Sequence, residues 1–177
     1  MKRQRNILAA LLVGIVAAFT LVACGGKQTA NTDNVVARPT PNTYLNDMAG
    51  IIKEDAKDTI SAHWMEDTLK SYAETSPYKI YVVTTKESLG DMGAQAYAKA
   101  IAEKWQLGDS SVVLFIQRTP QAFQVGIAPG AAVKDKFNQQ TIDQIIQDKI
   151  GHVILSYKGR FDRAAWNGIR EIKDRLK

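Results

Sequence analysis

Ser111-Val112-Val113-Leu114-Phe115-Ile116-Gln117 decides the fold, together with the two segments after it: Arg118-Thr119-Pro120-Gln121, then Ala122-Phe123-Gln124-Val125-Gly126-Ile127-Ala128. The unbroken apolar row from Val112 to Ile116 predicts a strand buried on both faces. Arg118 to Gln121 contains Pro120 and reads as a short turn. Beyond it Phe123, Val125 and Ile127 alternate with their neighbours, the period of a strand with one face turned inward. The pair is read as an antiparallel hairpin.

Toward the N-terminus, Met92 to Trp105 reads as a helix with Ala94, Ala98, Ile101 and Trp105 on its apolar face, and Gly108 ends it. Lys79 to Thr85 reads as a buried strand through Ile80, Val82 and Val83. A helix joining two apolar strands predicts a right-handed parallel crossover. Asp55 to Thr75 reads as an earlier helix in which Ile60, Trp64, Thr68 and Tyr72 recur every four residues, with Met65 and Leu69 beside them; Ser76-Pro77 breaks it. Toward the C-terminus, Gln139 to Lys149 is a helix led by Ile142, Ile145 and Ile146. Ile150 to Tyr157 is taken to continue as helix toward Ser156, and Phe161 to Leu176 is the last helix, with Ala165, Ile169, Ile172 and Leu176 in register. A strand ahead of the first helix is left open. The order β–α–β–α–β–β–α–α predicts an α/β fold, a three-layer α/β/α sandwich around a small mixed β-sheet. Residues 43–177 have the length of one domain and show no internal repeat.

The first 23 residues differ in kind. Lys2, Arg3 and Arg5 precede an apolar or small stretch from Ile7 to Val22, the composition of a secretory signal. Its 16 residues fall short of the roughly 20 that cross a bilayer core. Cys24, Gly25 and Gly26 come at once after it. Leu21-Val22-Ala23-Cys24 resembles the lipobox of bacterial lipoproteins, in which the thiol receives a diacylglyceryl group and the peptidase cuts before the cysteine. As the chain's one cysteine, Cys24 has no internal disulfide partner, and lipidation accounts for both its position and its solitude. The expected location is the extracytoplasmic side of the cell membrane or the outer membrane, held by lipid. The signal's three cations supply three of the formal charges in the net +5, which leaves +2 after cleavage. No basic run interleaved with aromatics comes after Cys24, so nucleic-acid binding has no support. Residues 24–42 are rich in Gly, Thr, Asn and Pro and read as a flexible linker after the lipidated cysteine.

Tyr44-Leu45-Asn46-Asp47-Met48-Ala49-Gly50-Ile51-Ile52 resembles the opening of TPM domains, an approximate V-N-D-x-A-G-x-L before a long helix. Ile80 to Thr84 resembles that family's next strand. Tyr97-Ala98 with Lys104-Trp105-Gln106-Leu107-Gly108-Asp109 resembles its Y-A…W-G-I-G-D segment. Val112 to Ile116 resembles its G-V-L-L-L-V strand, and Val125-Gly126-Ile127 with Gly130 and Asp135 its V-G-x-G…L-T-D loop. The family includes plant thylakoid-lumen proteins and many exported bacterial ones. The resemblance implies acid phosphatase activity in some members, and calcium bound near the loops at one end of the sheet in others. On that basis Asp47, Asp109 and Asp135 are the candidate metal ligands, with calcium as the candidate cofactor. The chain departs from the pattern in those loops. Asp109-Ser110-Ser111 runs into the strand without the family's Asn-Gly, and Gly126 to Ala131 lacks its acidic position.

The residues themselves supply little catalytic machinery. Calcium takes six to eight oxygens, and the three aspartates serve only if they converge; otherwise they read as cap and turn residues. Of the two histidines, His63 sits in a helix and reads as an ordinary partly exposed position, and His152 lies in an apolar segment and reads as core or boundary. A Cys-x5-Arg phosphate loop is excluded, because Cys24 is the anchor. Gly126 to Gly130 is a weak candidate anion cradle, with Pro129 removing a donor. Trp64, Trp105 and Trp166 lie at helical spacing and predict core packing. Lys158-Gly159-Arg160 and Arg163 form a small basic cluster, read first as a solvated loop and second as a contact for anionic lipid or wall polymer. The expected function is a lipid-anchored binding or accessory module with an envelope protein partner; the alternative is a metal-dependent acid phosphatase of low activity.

Overall fold

The structure, a computed structural model, describes residues 34–38, 43–52, 60–157 and 159–177. The signal, Cys24 and much of the expected linker lie outside the described residues.

Four strands form one sheet in the order β1 (Leu45–Asp47), β2 (Lys79–Thr85), β3 (Ser111–Arg118), β4 (Phe123–Pro129). β1, β2 and β3 run parallel, with Asp47 beside Thr84 and Lys79 beside Ser111. β4 returns antiparallel, with Arg118 opposite Phe123 and Val112 opposite Pro129. The sheet is mixed, as expected, and β3 is its buried centre: every residue from Ser111 to Gln117 is buried. The strand left open ahead of the first helix is β1.

Alternation along the strands divides the core in two. Ile80, Val82, Leu114, Ile116 and Ile127 face α1 (Ala62–Thr75) and the C-terminal helices. Tyr81, Val83, Val113, Phe115 and Ala128 face α2 (Ala94–Lys104). Both crossovers, β1–α1–β2 and β2–α2–β3, step the same way across the sheet, yet their helices cover opposite faces. The two connections therefore have opposite hands, and one of them is the uncommon left-handed kind.

α1 begins at Ala62 because Ser61 caps it, its hydroxyl accepting the Trp64 N–H at 3.2 Å. The expected start at Asp55 lies outside the described residues. Its buried stripe is Met65 and Leu69; in the neighbouring stripe Ile60 and Tyr72 are partly buried against the same core and Trp64 is exposed. After β4 come a 3-10 turn at Ala131–Lys136, α3 (Gln139–Gln144), a π-helical segment at Ile145–Gly151 and α4 (His152–Ser156). Helix does continue to Ser156, but through a widened turn that sequence periodicity does not reveal. α5 (Phe161–Leu176) packs under the sheet, with Gly168 close to Ile150 and Leu114.

Each edge strand is plugged by a helix side chain. Gln95 on α2 both accepts from the Ile127 N–H at 3.0 Å and donates to the Ile127 carbonyl at 2.6 Å. Glu66 on α1 accepts from the N–H groups of Tyr44 and Leu45 at 2.9 and 2.6 Å. Both plugs fill hydrogen-bonding positions that would otherwise invite another strand.

The stretch read as linker contains an ordered piece. Asn34–Arg38 lies along α2 with Val35 buried. The Tyr97 hydroxyl donates to the Asn34 carbonyl and accepts from the Val36 N–H at 3.1 Å. Lys104 and the Trp105 indole donate to the Val35 and Val36 carbonyls at 2.6 and 2.9 Å. Arg38 stacks its guanidinium over Tyr81 and Trp105. The composition of the stretch is polar, but two valines and an arginine suffice once α2 offers a wall.

Candidate functional site

Asp47 ends β1, and its carboxylate is consumed by its own turn. One oxygen accepts from the Ile51 N–H at 3.1 Å and the other from the Ile52 N–H at 2.7 Å. The Thr84 hydroxyl donates to the first oxygen as well, while its own oxygen accepts from the Ala49 N–H at 3.1 Å. Gly50 closes the turn with a positive φ of 59° and an N–H bonded to the Asp47 carbonyl. Asn46 is held by the Thr43 hydroxyl at 3.0 Å. The Asn-Asp-x-Ala-Gly motif is thus a lock between β1 and β2.

Asp109 and Asp135 are elsewhere. Asp109 lies exposed in the turn before β3, and its carbonyl accepts from the Ala132 N–H at 3.1 Å. Asp135 is exposed on the 3-10 turn beyond β4. Both belong to the end of the sheet where β2 and β3 start; Asp47 belongs to the end where β1 and β2 finish. From Thr84 back to Lys79 is five residues of strand, about 16 Å. Three carboxylates so divided do not form one coordination sphere with oxygens at 2.3–2.6 Å. Among the described residues no three acidic, histidine or cysteine side chains gather where an ion would sit. The calcium expectation required convergence, and the fold separates the ligands.

The remaining candidates take their places on the surface or in the framework. His63 is exposed and pairs with Asp67 one turn along at 3.2 Å. His152 is exposed, with the Ser156 hydroxyl 3.4 Å away on the same helix. Gly126 lies inside β4, not in a loop, and the Gly130 N–H is spent on the Ser111 carbonyl at 2.7 Å. No anion cradle forms there. These glycines serve close packing. A Cβ on Gly126 would stand 2.2 Å from the Ala94 carbonyl oxygen, and one on Gly130 2.3 Å from that of Asp109. Trp105 is buried as expected and Trp166 partly so, but Trp64 is 45% exposed and meets Trp166 edge-on at 4.5 Å. Lys158 lies outside the described residues. Arg160 is bound bidentately to Asp162, at 3.0 and 2.9 Å. Burial alone would raise the Asp162 pKa; the Arg160 hydrogen bonds and charge, with backbone N–H groups of the first turn of α5, outweigh it and hold it below the usual value.

Sequence reasoning missed the concave surface at the hairpin turn. One hollow of about 640 Å³ is lined by Phe123, Ile146, Asp148, His152 and Leu155, with the π-helical segment as its wall. A second, of about 450 Å³, shares Phe123 and Leu155 and adds Arg118, Pro120 and Phe161. The hollows sit at the same end of the sheet as Asp47 but are built from different elements. In the sequence this region shows only as a helical continuation from Ile150 to Tyr157.

The fold and the Asp47 lock define a class: a three-layer α/β/α domain with a mixed sheet, its short first strand tied to the second by an Asn-Asp-x-Ala-Gly turn. The chain belongs to the TPM-domain family, whose model matches residues 45–175. Two solved structures share the fold. The N-terminal domain of a protein from P. gingivalis is 19% identical with a TM-score of 0.58, over 76% of this chain and 82% of that one. The N-terminal domain of a protein from Corynebacterium glutamicum is 13% identical with a TM-score of 0.52, over 82% and 89%. Among curated proteins none matches.

Proposed function

We propose that this TPM domain is a lipid-anchored accessory module of the cell envelope, tethered through Cys24 and acting by binding an envelope protein partner rather than by turning over a substrate. The observation that carries the reading is the saturation of Asp47. Two backbone N–H groups and a hydroxyl already claim its carboxylate, leaving it poorly placed to bind an ion or act as a nucleophile. Asp109 and Asp135 stand at the opposite end of the sheet. Both histidines are exposed, His63 paired with Asp67 and His152 near the Ser156 hydroxyl, each with its neighbour on its own helix. The lipobox-like Leu21-Val22-Ala23-Cys24 supplies the tether. No helix among the described residues is long and apolar enough to cross a membrane.

The family model's name includes the word phosphatase, and the test is chosen against that alternative. The chain from residue 24 is assayed with a generic phosphomonoester at acid and neutral pH, with and without calcium, magnesium or zinc. The expected result is no turnover above buffer. Metal-dependent turnover lost in an Asp47→Asn, Asp135→Asn double variant that keeps its fold would overturn the accessory reading in favour of the enzyme.

A further inference from the structure

We propose that the corner formed by Arg118, Leu155, Tyr157 and Arg163 rests on an anionic phospholipid surface. Four large hydrophobic side chains are exposed among the described residues, and two of them, Leu155 at 75% and Tyr157 at 53%, lie two residues apart at the end of α4. Each is flanked by an exposed guanidinium. The Arg118 group sits 5.2 Å above the Phe161 ring, beside Leu155 in the smaller hollow. The Arg163 group sits 5.8 Å above the Tyr157 ring. Among the described residues no carboxylate lies within 4 Å of Arg118 or Arg163, whereas Arg160 nearby is neutralised by Asp162. Asp148 lines the larger hollow, which shares Phe123 and Leu155 with the smaller one. An exposed leucine beside Arg118 and an exposed tyrosine beside Arg163 at one helix end match the layering of a bilayer interface, with acyl chain and glycerol level inside and phosphate outside.

The path of the chain agrees. Asn34 is the first described residue after the expected anchor. It lies against the Tyr97 hydroxyl and near Gly90, in the loop that leaves β2. That is the end of the sheet where β3 reaches Arg118. The ten residues from Cys24 to Asn34 span at most about 36 Å. A tether of that reach lets this corner meet the membrane. The inference deepens the tethered reading, but its test does not use the Cys24 anchor, so the two fail separately.

The test uses the chain from residue 24 carrying Cys24→Ser, whose two cores are built from residues between Val35 and Leu176. It is sedimented with vesicles of phosphatidylcholine alone and of phosphatidylcholine with phosphatidylglycerol. Binding to the anionic vesicles, weakened by salt, is the expected result. Arg118→Gln with Arg163→Gln should cut the affinity about 25-fold, roughly fivefold per arginine near an anionic surface. Leu155→Ser should cut it as well, with circular dichroism unchanged because every altered position is exposed. Absence of binding, equal binding to both vesicle types, or binding untouched in both variants would overturn the proposal. So would self-association without vesicles that Leu155→Ser abolishes, which would assign the corner to a second copy of the chain.

Discussion

Replacing Asp47 by alanine leaves the Ile51 and Ile52 N–H groups and the Thr84 hydroxyl without their acceptor. Loss of about 2 kcal/mol in urea unfolding is expected, since stranded donors cost about 1–3 kcal/mol; an unchanged midpoint would show that the carboxylate serves something other than the turn. Asp162 makes a prediction in pH. Its folded pKa is lowered, so its contribution is present above the usual carboxylate value of 3.8 and is lost as the pH falls through the lowered folded value. Asp162→Asn should therefore reduce stability at neutral pH and flatten the acid limb of the stability profile, a difference that thermal melts across pH 2 to about 7 would read. A residue's type and the turn it favours were legible at this scale, as with Asp47 in its motif. Its partner was not: Thr84 is 37 positions away, and only the parallel register brings the two together.

At the scale of elements, α2 and β4 are fitted to each other through Gly126. Any side chain there would strike the first carbonyl of the helix, 2.2 Å from the nearest atom. Gly126→Ala is expected to cost about 3 kcal/mol, at the upper end for overpacking because backbone rather than a rotamer must move; equal stability would mean that α2 slides freely over the sheet. The strands were the most legible elements. The Val112–Ile116 run could only be a buried centre, and the alternation after Pro120 picked out Phe123, Val125 and Ile127 as one face of β4 but did not show that α2 covers the other through Gly126 and Ala128. α1 was legible as a helix but not in rotation. The Ile60–Trp64–Thr68–Tyr72 stripe and the Met65–Leu69 stripe have the same period and lie side by side, so periodicity does not choose between them. Packing against β1 and β2 chooses Met65 and Leu69. The docked segment Asn34–Arg38 was hidden for another reason. Its ordering energy comes from Tyr97, Lys104 and Trp105, which are remote in sequence.

The whole molecule is a sheet with two differently built faces and two differently used ends. Fold class and family were readable from the sequence because they depend on element order and motif spacing. The candidate metal site was not, because loops that look equivalent in sequence are assigned to one end of the sheet or the other only by strand direction. Asp47 closes a parallel strand, whereas Asp109 precedes one and Asp135 comes after the antiparallel return strand, and that difference puts a sheet's length between them. The Asp47 end also carries the hairpin turn, the π-helical wall and the exposed side chains of α4. It is also the end at which Asn34, the first described residue, lies.

The proposed envelope address and orientation both depend on the proposed tether, and lipid labelling tests it directly. Cells expressing the full chain or its Cys24→Ser variant are fed a clickable palmitate analogue and fractionated. A lipid anchor at Cys24 predicts label and membrane retention for the full chain, and loss of both in the variant. A variant still labelled and still in the membrane fraction, or a full chain carrying no lipid, would contradict it.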